Sequence, residues 1–361
     1  MTEASKILLS ILRLAAGGDL ADFPRRDSYP WGEIFDLTVE HGISALAWDG
    51  LQRLYDEGIF TGGEIPHEIM DDWTSWIMST EQDWRIMKTQ ADSLARFYAK
   101  SGISMMVLKG YSSSLDWPVP EHRTFGDLDI WLFGKCREAD RLLKQKKNIS
   151  VNRSHRHHTV FMLRDRIVEN HYDFITVSSH YSNWAYEKKL KSLATLEKAV
   201  PHGHFYIPAP NLEVMFNLRH MALHFASVRC TLRHLIDWAF TVRRHHSEID
   251  WKMVVEASDK AGMLRFMSAI DAICIKYLGF EKEIFPDLPL DEELADRVLE
   301  DMLSPEFQEN PSGRLLPDIL FKFRRWRAGA WKQKIVFRES LVITFVLQLF
   351  SHLCKPSSFR E

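Results

Sequence analysis

A chain of 361 residues with 45% hydrophobic and 26% charged residues has the balance of a soluble globular protein, with room for two or three domains. A formal net charge of −3 excludes the broad basic field of a nucleic-acid binder. Cys136, Cys230, Cys274 and Cys354 lack CxxC spacing, which excludes a cysteine zinc site or a disulfide scaffold and suits a reducing cytoplasm.

Residues 1–14 have helical apolar spacing but neither the basic start nor the cleavage site of a signal peptide. No apolar run reaches the roughly 18 residues of a membrane span. A cytoplasmic protein without a transmembrane segment is expected. Residues 1–100 read as a helical region. Ile7, Leu8, Ile11 and Leu12 form one stripe. A second helix begins near Trp31 and ends at Gly42. Gly58, Gly62, Gly63 and Pro66 mark a loop. Trp73, Trp76, Ile77, Thr80, Trp84, Met87, Ala91, Leu94 and Tyr98 then recur every three or four residues, which predicts an amphipathic helix of about seven turns. Its tryptophans are read as core packing.

Strand signals concentrate in 101–180. Strands are expected at 103–108, 127–133, 158–164 and 167–176, with a helix near 136–147. The last two strands read as a hairpin turning at Arg164-Asp165-Arg166. Residues 181–361 return to helices. Trp184–Ala199 is charged, His204–Ile207 is a short extended piece, and Asn211 is placed to cap a helix. Helical patterns continue over 232–242 and 251–272. At the end, a basic portion (Lys322 to Arg338) precedes the apolar run Leu341–Phe350. It is read as a packed helix with a solvated neighbour, with a peripheral membrane contact as the alternative. The expected fold is α+β: a small mixed-sheet core, 101–180, flanked by helical regions 1–100 and 181–361.

The chemistry gathers in 103–132. An apolar strand ends at Lys109-Gly110, and small polar residues follow. Asp127 and Asp129 then share one strand face while Leu128 and Ile130 point into the core. Adjacent carboxylates repel unless a cation lies between them, and oxygen ligands suit Mg2+ or Mn2+. Lys109, the Gly110 turn and the N–H groups after it suit an anion. Ser112 and Ser113 either bind a phosphate oxygen or cap the helix. Arg123 either neutralises phosphate or pairs with a structural acid.

This arrangement resembles the polymerase-β-like nucleotidyltransferase superfamily, and more narrowly the bacterial uncharacterised nucleotidyltransferase family. The matching segments are Leu108-Lys109-Gly110, Arg123 before Gly126-Asp127-Leu128-Asp129, and Val168-Glu169-Asn170-His171. Glu40-His41-Gly42, His224 and the stretch Arg233–Trp238 match outside the core. The resemblance implies a magnesium-dependent enzyme that moves a nucleoside monophosphate from an NTP, such as ATP, to a hydroxyl-bearing acceptor. That acceptor is a sugar, another small molecule or a protein side chain, and a link to surface-polysaccharide metabolism is a further implication. Asp127, Asp129 and Glu169 would be the catalytic and metal-binding acids, in a two-metal mechanism. Lys109, Gly110, Ser112, Ser113 and Arg123 would bind nucleotide. The alternative is an inactive nucleotide-binding or regulatory protein on the same scaffold.

In an extended strand, His171 and Asp173 share the face of Glu169. His171 is therefore a candidate substrate ligand or general base, and Asp173 a substitute third acid. His157 and His158 are expected on opposite strand faces. The group His155, His157 and His158 is thus not expected to converge, leaving His158 as a substrate contact. His220 and His224 stand one helical turn apart, but without HExxH they read as core or interface histidines, with His224 a secondary substrate residue. Asp237 is read as a structural cap or partner, with the family match making it a secondary site candidate.

Overall fold

The computed structural model describes residues 1–177, 180–227, 229–306, 321 and 324–340. The apolar run Leu341–Phe350 lies outside the described residues. Helix α1 (Glu3–Ala15) is capped by Thr2, whose hydroxyl accepts from Ser5 N at 3.1 Å. Helix α2 (Trp31–His41) ends, as expected, at Gly42, which takes the left-handed conformation with φ 67°. Helices α3 (Ser44–Asp56) and α4 (His67–Ala99) follow. Trp73 and Trp84 on α4 are core residues with satisfied N–H groups, donating to Ser44 O and Ser114 Oγ. Trp76 departs from that expectation and is exposed.

The sheet holds seven strands in the order β3-β4-β5-β2-β1-β7-β6. These are β1 (Met106–Val107), β2 (Leu128–Trp131), β3 (Val151–Asn152), β4 (His158–Leu163), β5 (Arg166–His171), β6 (Val200–His202) and β7 (Phe205–Ile207). Between them lie α5 (Tyr111–Ser114), α6 (Cys136–Lys147) and α7 (Ser182–Leu193). β2 runs antiparallel to β1 and parallel to β5, so the sheet is mixed. The β4–β5 hairpin forms with a tighter turn than expected, since Arg166 already pairs with Leu163. The extended piece His204–Ile207 supplies β7, and β6–β7 carry the sheet beyond residue 180.

β5 stops at His171, five residues short of the expected end. Tyr172 N and Asp173 N both donate to His157 O at 3.0 Å, which turns the chain out of the ladder. The Glu187 carboxylate then accepts from Phe174 N and Ile175 N, fixing the exit.

The two faces of the sheet differ. Leu128, Ile130, Val168 and Phe161 pack with Leu94, Tyr98 and Leu143 of α4 and α6 in a smaller core. Trp131 and Phe174 lie with Phe216 in the larger core. That core also takes in α1–α3 and the later helices α8 (Pro210–Ser227), α9 (Leu232–His245), α10 (Trp251–Ala261), α11 (Leu264–Leu278), α12 (Glu292–Leu303) and α13 (Ala330–Val336). The two helical flanks thus bury their apolar stripes against each other. Two helix expectations change. The pattern over 251–272 breaks at Gly262, where φ is 80° and a Cβ would sit 2.4 Å from Arg338 N. Asn211 lies inside α8, and its side chain accepts from Asp250 N at 2.8 Å.

Candidate active site

Strand register builds the site. Asp129 pairs with Glu169 across β2 and β5, and Trp131 with His171. Partners in a parallel ladder project to the same side, so Asp129, Glu169 and His171 leave the sheet together on the α8 side. Their ligand atoms lie within 4.8 Å of one another. His171 Nε2 is 2.8 Å from Asp129 Oδ1 and 3.5 Å from Glu169 Oε2. Its Nδ1 is 3.1 Å from the Asp173 carbonyl oxygen. With an acceptor at each nitrogen, the ring is suited to carry both protons. Burial pulls its pKa down, but the bonds to Asp129 and Glu169 outweigh that and raise it to about 9.

Lys109 reaches the site from the end of β1, with Nζ 2.8 Å from Asp129 Oδ2. Burial works against its charge, yet Asp129 and Asp127 hold its pKa above the ordinary value. Asp129 is almost fully buried. Burial disfavours its anion, but Lys109 and His171 prevail and hold it well below the usual carboxylate range. Glu169 is likewise lowered despite burial, through its bond to His171. Asp127 moves the other way: the Asp129 charge, then burial, raise its pKa. Asp127 sits just before β2 and falls outside the tight Asp129–Glu169–His171 group among the described residues.

The other expected residues divide. Asp173, carried off by the turn after His171, pairs with Lys191 and is not on the Glu169 face. His171, expected as a substrate ligand or general base, lies against both acids through Nε2. Arg123 makes a buried bidentate pair with Asp237, Nε to Oδ1 at 2.8 Å and Nη2 to Oδ2 at 2.6 Å. Trp117 Nε1 donates to the same carboxylate, so Asp237 is structural. Ser112 and Ser113 turn their hydroxyls to Glu213 on α8, Ser113 at 2.7 Å. Burial pushes the Glu213 pKa up to about 7. Gly110 has φ 78°, and a Cβ there would sit 3.7 Å from Arg123 Nη1.

The expectation that His157 and His158 point apart is overturned. β4 begins at His158, so strand alternation does not govern His157, and the rings of His157, His158 and His171 gather with ligand atoms within 4.8 Å. His158 Nδ1 lies 3.4 Å from Glu169 Oε2. Burial lowers the pKa of His158 to about 4.

His220 and His224 do stand together on α8, joined by His234 of α9 in a third such group. Burial holds all three pKa values down, His224 at about 4. His234 and Arg233 lie in the stretch Arg233–Trp238 that matches the family, but no spacing rule assigns either of them a role. Arg233 Nη1 donates to Thr124 Oγ1 at 3.0 Å, its buried Nε has no partner among the described residues, and Asp127 acts on its charge. The motif Glu40-His41-Gly42 braces this region. Glu40 pairs with Arg229, and His41 Nδ1 accepts from Leu232 N, the first residue of α9. Thr124 Oγ1 donates to Gly42 O. A shallow hollow of about 280 Å³ beside Arg13, Asp22 and Tyr277 is lined by none of these residues.

Among the described residues, no helix is long and apolar enough to cross a membrane. No curated protein and no solved structure matches the chain significantly. Residues 27–279, which contain every element of this site, match the family model described as uncharacterised nucleotidyltransferase, and the chain belongs to that family.

Proposed function

We propose that this protein transfers a nucleoside monophosphate from an NTP to a hydroxyl-bearing acceptor at the carboxylates Asp127, Asp129 and Glu169. The observation that carries the reading is the in-register placement of Asp129 beside Glu169 on parallel strands, with Lys109 against Asp129. The donors fit a hard divalent ion. Three carboxylates face two cations, Lys109 and His171, which leaves one negative charge over, and the raised pKa of Asp127 reflects that excess. Asp127, Asp129 and Glu169 would hold Mg2+ or Mn2+, which when bound supplies charge neutralisation at phosphate oxygens. Lys109 offers an ammonium to the triphosphate, and Arg233 offers its Nε, which has no partner among the described residues. His171 keeps Asp129 and Glu169 ionised and oriented. Glu169, less buried than Asp129, would take the proton of the attacking hydroxyl. A sugar, a saccharide precursor of a cell surface and a protein side chain all meet the acceptor requirement.

Asp129 is already held by Lys109 and His171, and this favours a second reading: a nucleotide-binding protein without turnover. The test incubates the protein with each α-labelled NTP, magnesium and cell extract, then separates labelled products. A labelled product that disappears with Glu169→Gln supports the enzyme. Nucleotide retention without any product supports the second reading.

A further inference from the structure

The group His220, His224 and His234 is not absorbed by the transfer reading. Its ligand atoms lie within 4.8 Å of one another, and all three residues remain partly exposed. The ring centroids of His220 and His224 are 4.4 Å apart, and those of His224 and His234 are 5.1 Å apart. Among the described residues, no carboxylate pairs with any of these rings, unlike His122, His171 and His245. One of the rings has a neighbouring acceptor for its second nitrogen: His234 Nδ1 is 3.0 Å from Thr231 Oγ1. Metal-ligating histidines characteristically donate their remaining N–H to such a group, which fixes the ring and its tautomer.

We propose that His220, His224 and His234 form a site for a zinc-class transition ion, separate from the carboxylate cluster, with a fourth position open to an anionic oxygen. Imidazole suits zinc, nickel or copper rather than magnesium, and three histidines with one open position form a recognised zinc arrangement. The tautomer follows from the geometry. Metal on His234 Nε2 requires the proton on Nδ1, donated to Thr231 Oγ1, so the 3.3 Å contact from Thr231 N to that nitrogen is given up. The surroundings decide the fourth ligand. Lys109 acts on all three histidines, Arg233 on His224 and His234, and Arg123 on His234, while Asp129 opposes them at His224. Lys109 is countered by Asp129 and Arg123 by Asp237, so Arg233, whose hydrogen bonds among the described residues go only to Thr124, is the cation left to draw an anionic oxygen, phosphate or hydroxide, to the fourth position. The cluster His157–His158–His171 is the weaker candidate, because both nitrogens of His171 already face acceptors.

The test uses the full chain, stripped of metal, titrated with cobalt(II) and followed by visible d–d absorption, then with zinc as competitor. Binding is read without nucleotide or turnover, so failure of the transfer reading leaves this result untouched. The expected result is one cobalt per chain with tetrahedral absorption that zinc abolishes and inorganic phosphate shifts. His224→Ala and His234→Ala each weaken binding at least about 100-fold, beyond the effect of losing an outer partner. Should either variant fail to fold by circular dichroism, His220→Gln serves in its place. His157→Ala and Asp127→Asn retain the signal. Absence of a tetrahedral spectrum from the folded wild type overturns the proposal, as does equal loss with His157→Ala. A spectrum unmoved by phosphate overturns the anionic fourth ligand.

Discussion

Asp129 and Glu169 are register partners across two parallel strands, and one atom, His171 Nε2, lies 2.8 Å from the first and 3.5 Å from the second. A single imidazolium therefore couples the two acids, while Lys109 holds the far oxygen of Asp129. Lys109 is then both a structural partner and the cation nearest an incoming triphosphate. Lys109→Ala is expected to weaken NTP binding by about 1–3 kcal/mol, the range for a lost charged hydrogen bond. Calorimetry with and without magnesium checks this; unchanged affinity in both conditions would remove Lys109 from the nucleotide site.

Ser112 and Ser113 offer a contrast. Their hydroxyls satisfy the buried Glu213 carboxylate with Asn217. Ser113→Ala should destabilise the fold by about 1–3 kcal/mol, because a buried acceptor loses its donor. NTP affinity should stay within about twofold, a difference well under 1 kcal/mol. Urea unfolding and nucleotide titration of the same variant separate the two roles. A stable variant that no longer binds NTP would return the serine to phosphate binding.

Arg123 and Asp237 are both buried and joined by two bonds. Asp237→Ala leaves a guanidinium and the Trp117 N–H without their partner, and should cost about 3–5 kcal/mol in unfolding free energy. A loss below 1 kcal/mol in denaturant titration would mean that Arg123 is free to find another anion.

His41 gives a pH dependence. Burial, then the Arg229 charge, lowers its pKa from 6.5 to about 3. Between these values the unfolded chain binds a proton that the folded chain does not. Its contribution is therefore complete above pH 6.5 and is lost as pH falls towards 3. The slope from this one residue is about 1.4 kcal/mol per pH unit inside that window. Unfolding at pH 5 and 7 should show that His41→Gln has a shallower dependence than the wild type. Parallel curves would show that His41 titrates normally.

The sequence carried the parts of this site that local rules govern. Alternation placed Asp129 opposite the core residues Leu128 and Ile130, and the β-branched run around Val168 carried Glu169. The Gly42 helix end and the long α4 followed from spacing alone. What escaped depends on distant partners. Ser113 meets Glu213 from 100 residues away, and Arg123 meets Asp237 from 114. Local pattern could not choose between phosphate and protein for either. Asp173 and His157 were misplaced because each lies just past a strand end, where period-two alternation stops applying. His234 joined His220 and His224 only once α9 folded back on α8.

The central claim is that the carboxylate cluster binds a nucleoside triphosphate with a divalent cation. Calorimetric titration of ATP, CTP, GTP and UTP, with and without magnesium, tests it most directly, using wild type and the Asp127→Asn/Asp129→Asn double variant. The account predicts that wild type binds at least one NTP much more tightly with magnesium, and that the double variant loses the magnesium dependence while keeping weak metal-independent binding. Folded wild-type protein that binds no NTP in either condition, even with candidate acceptors present, would contradict it.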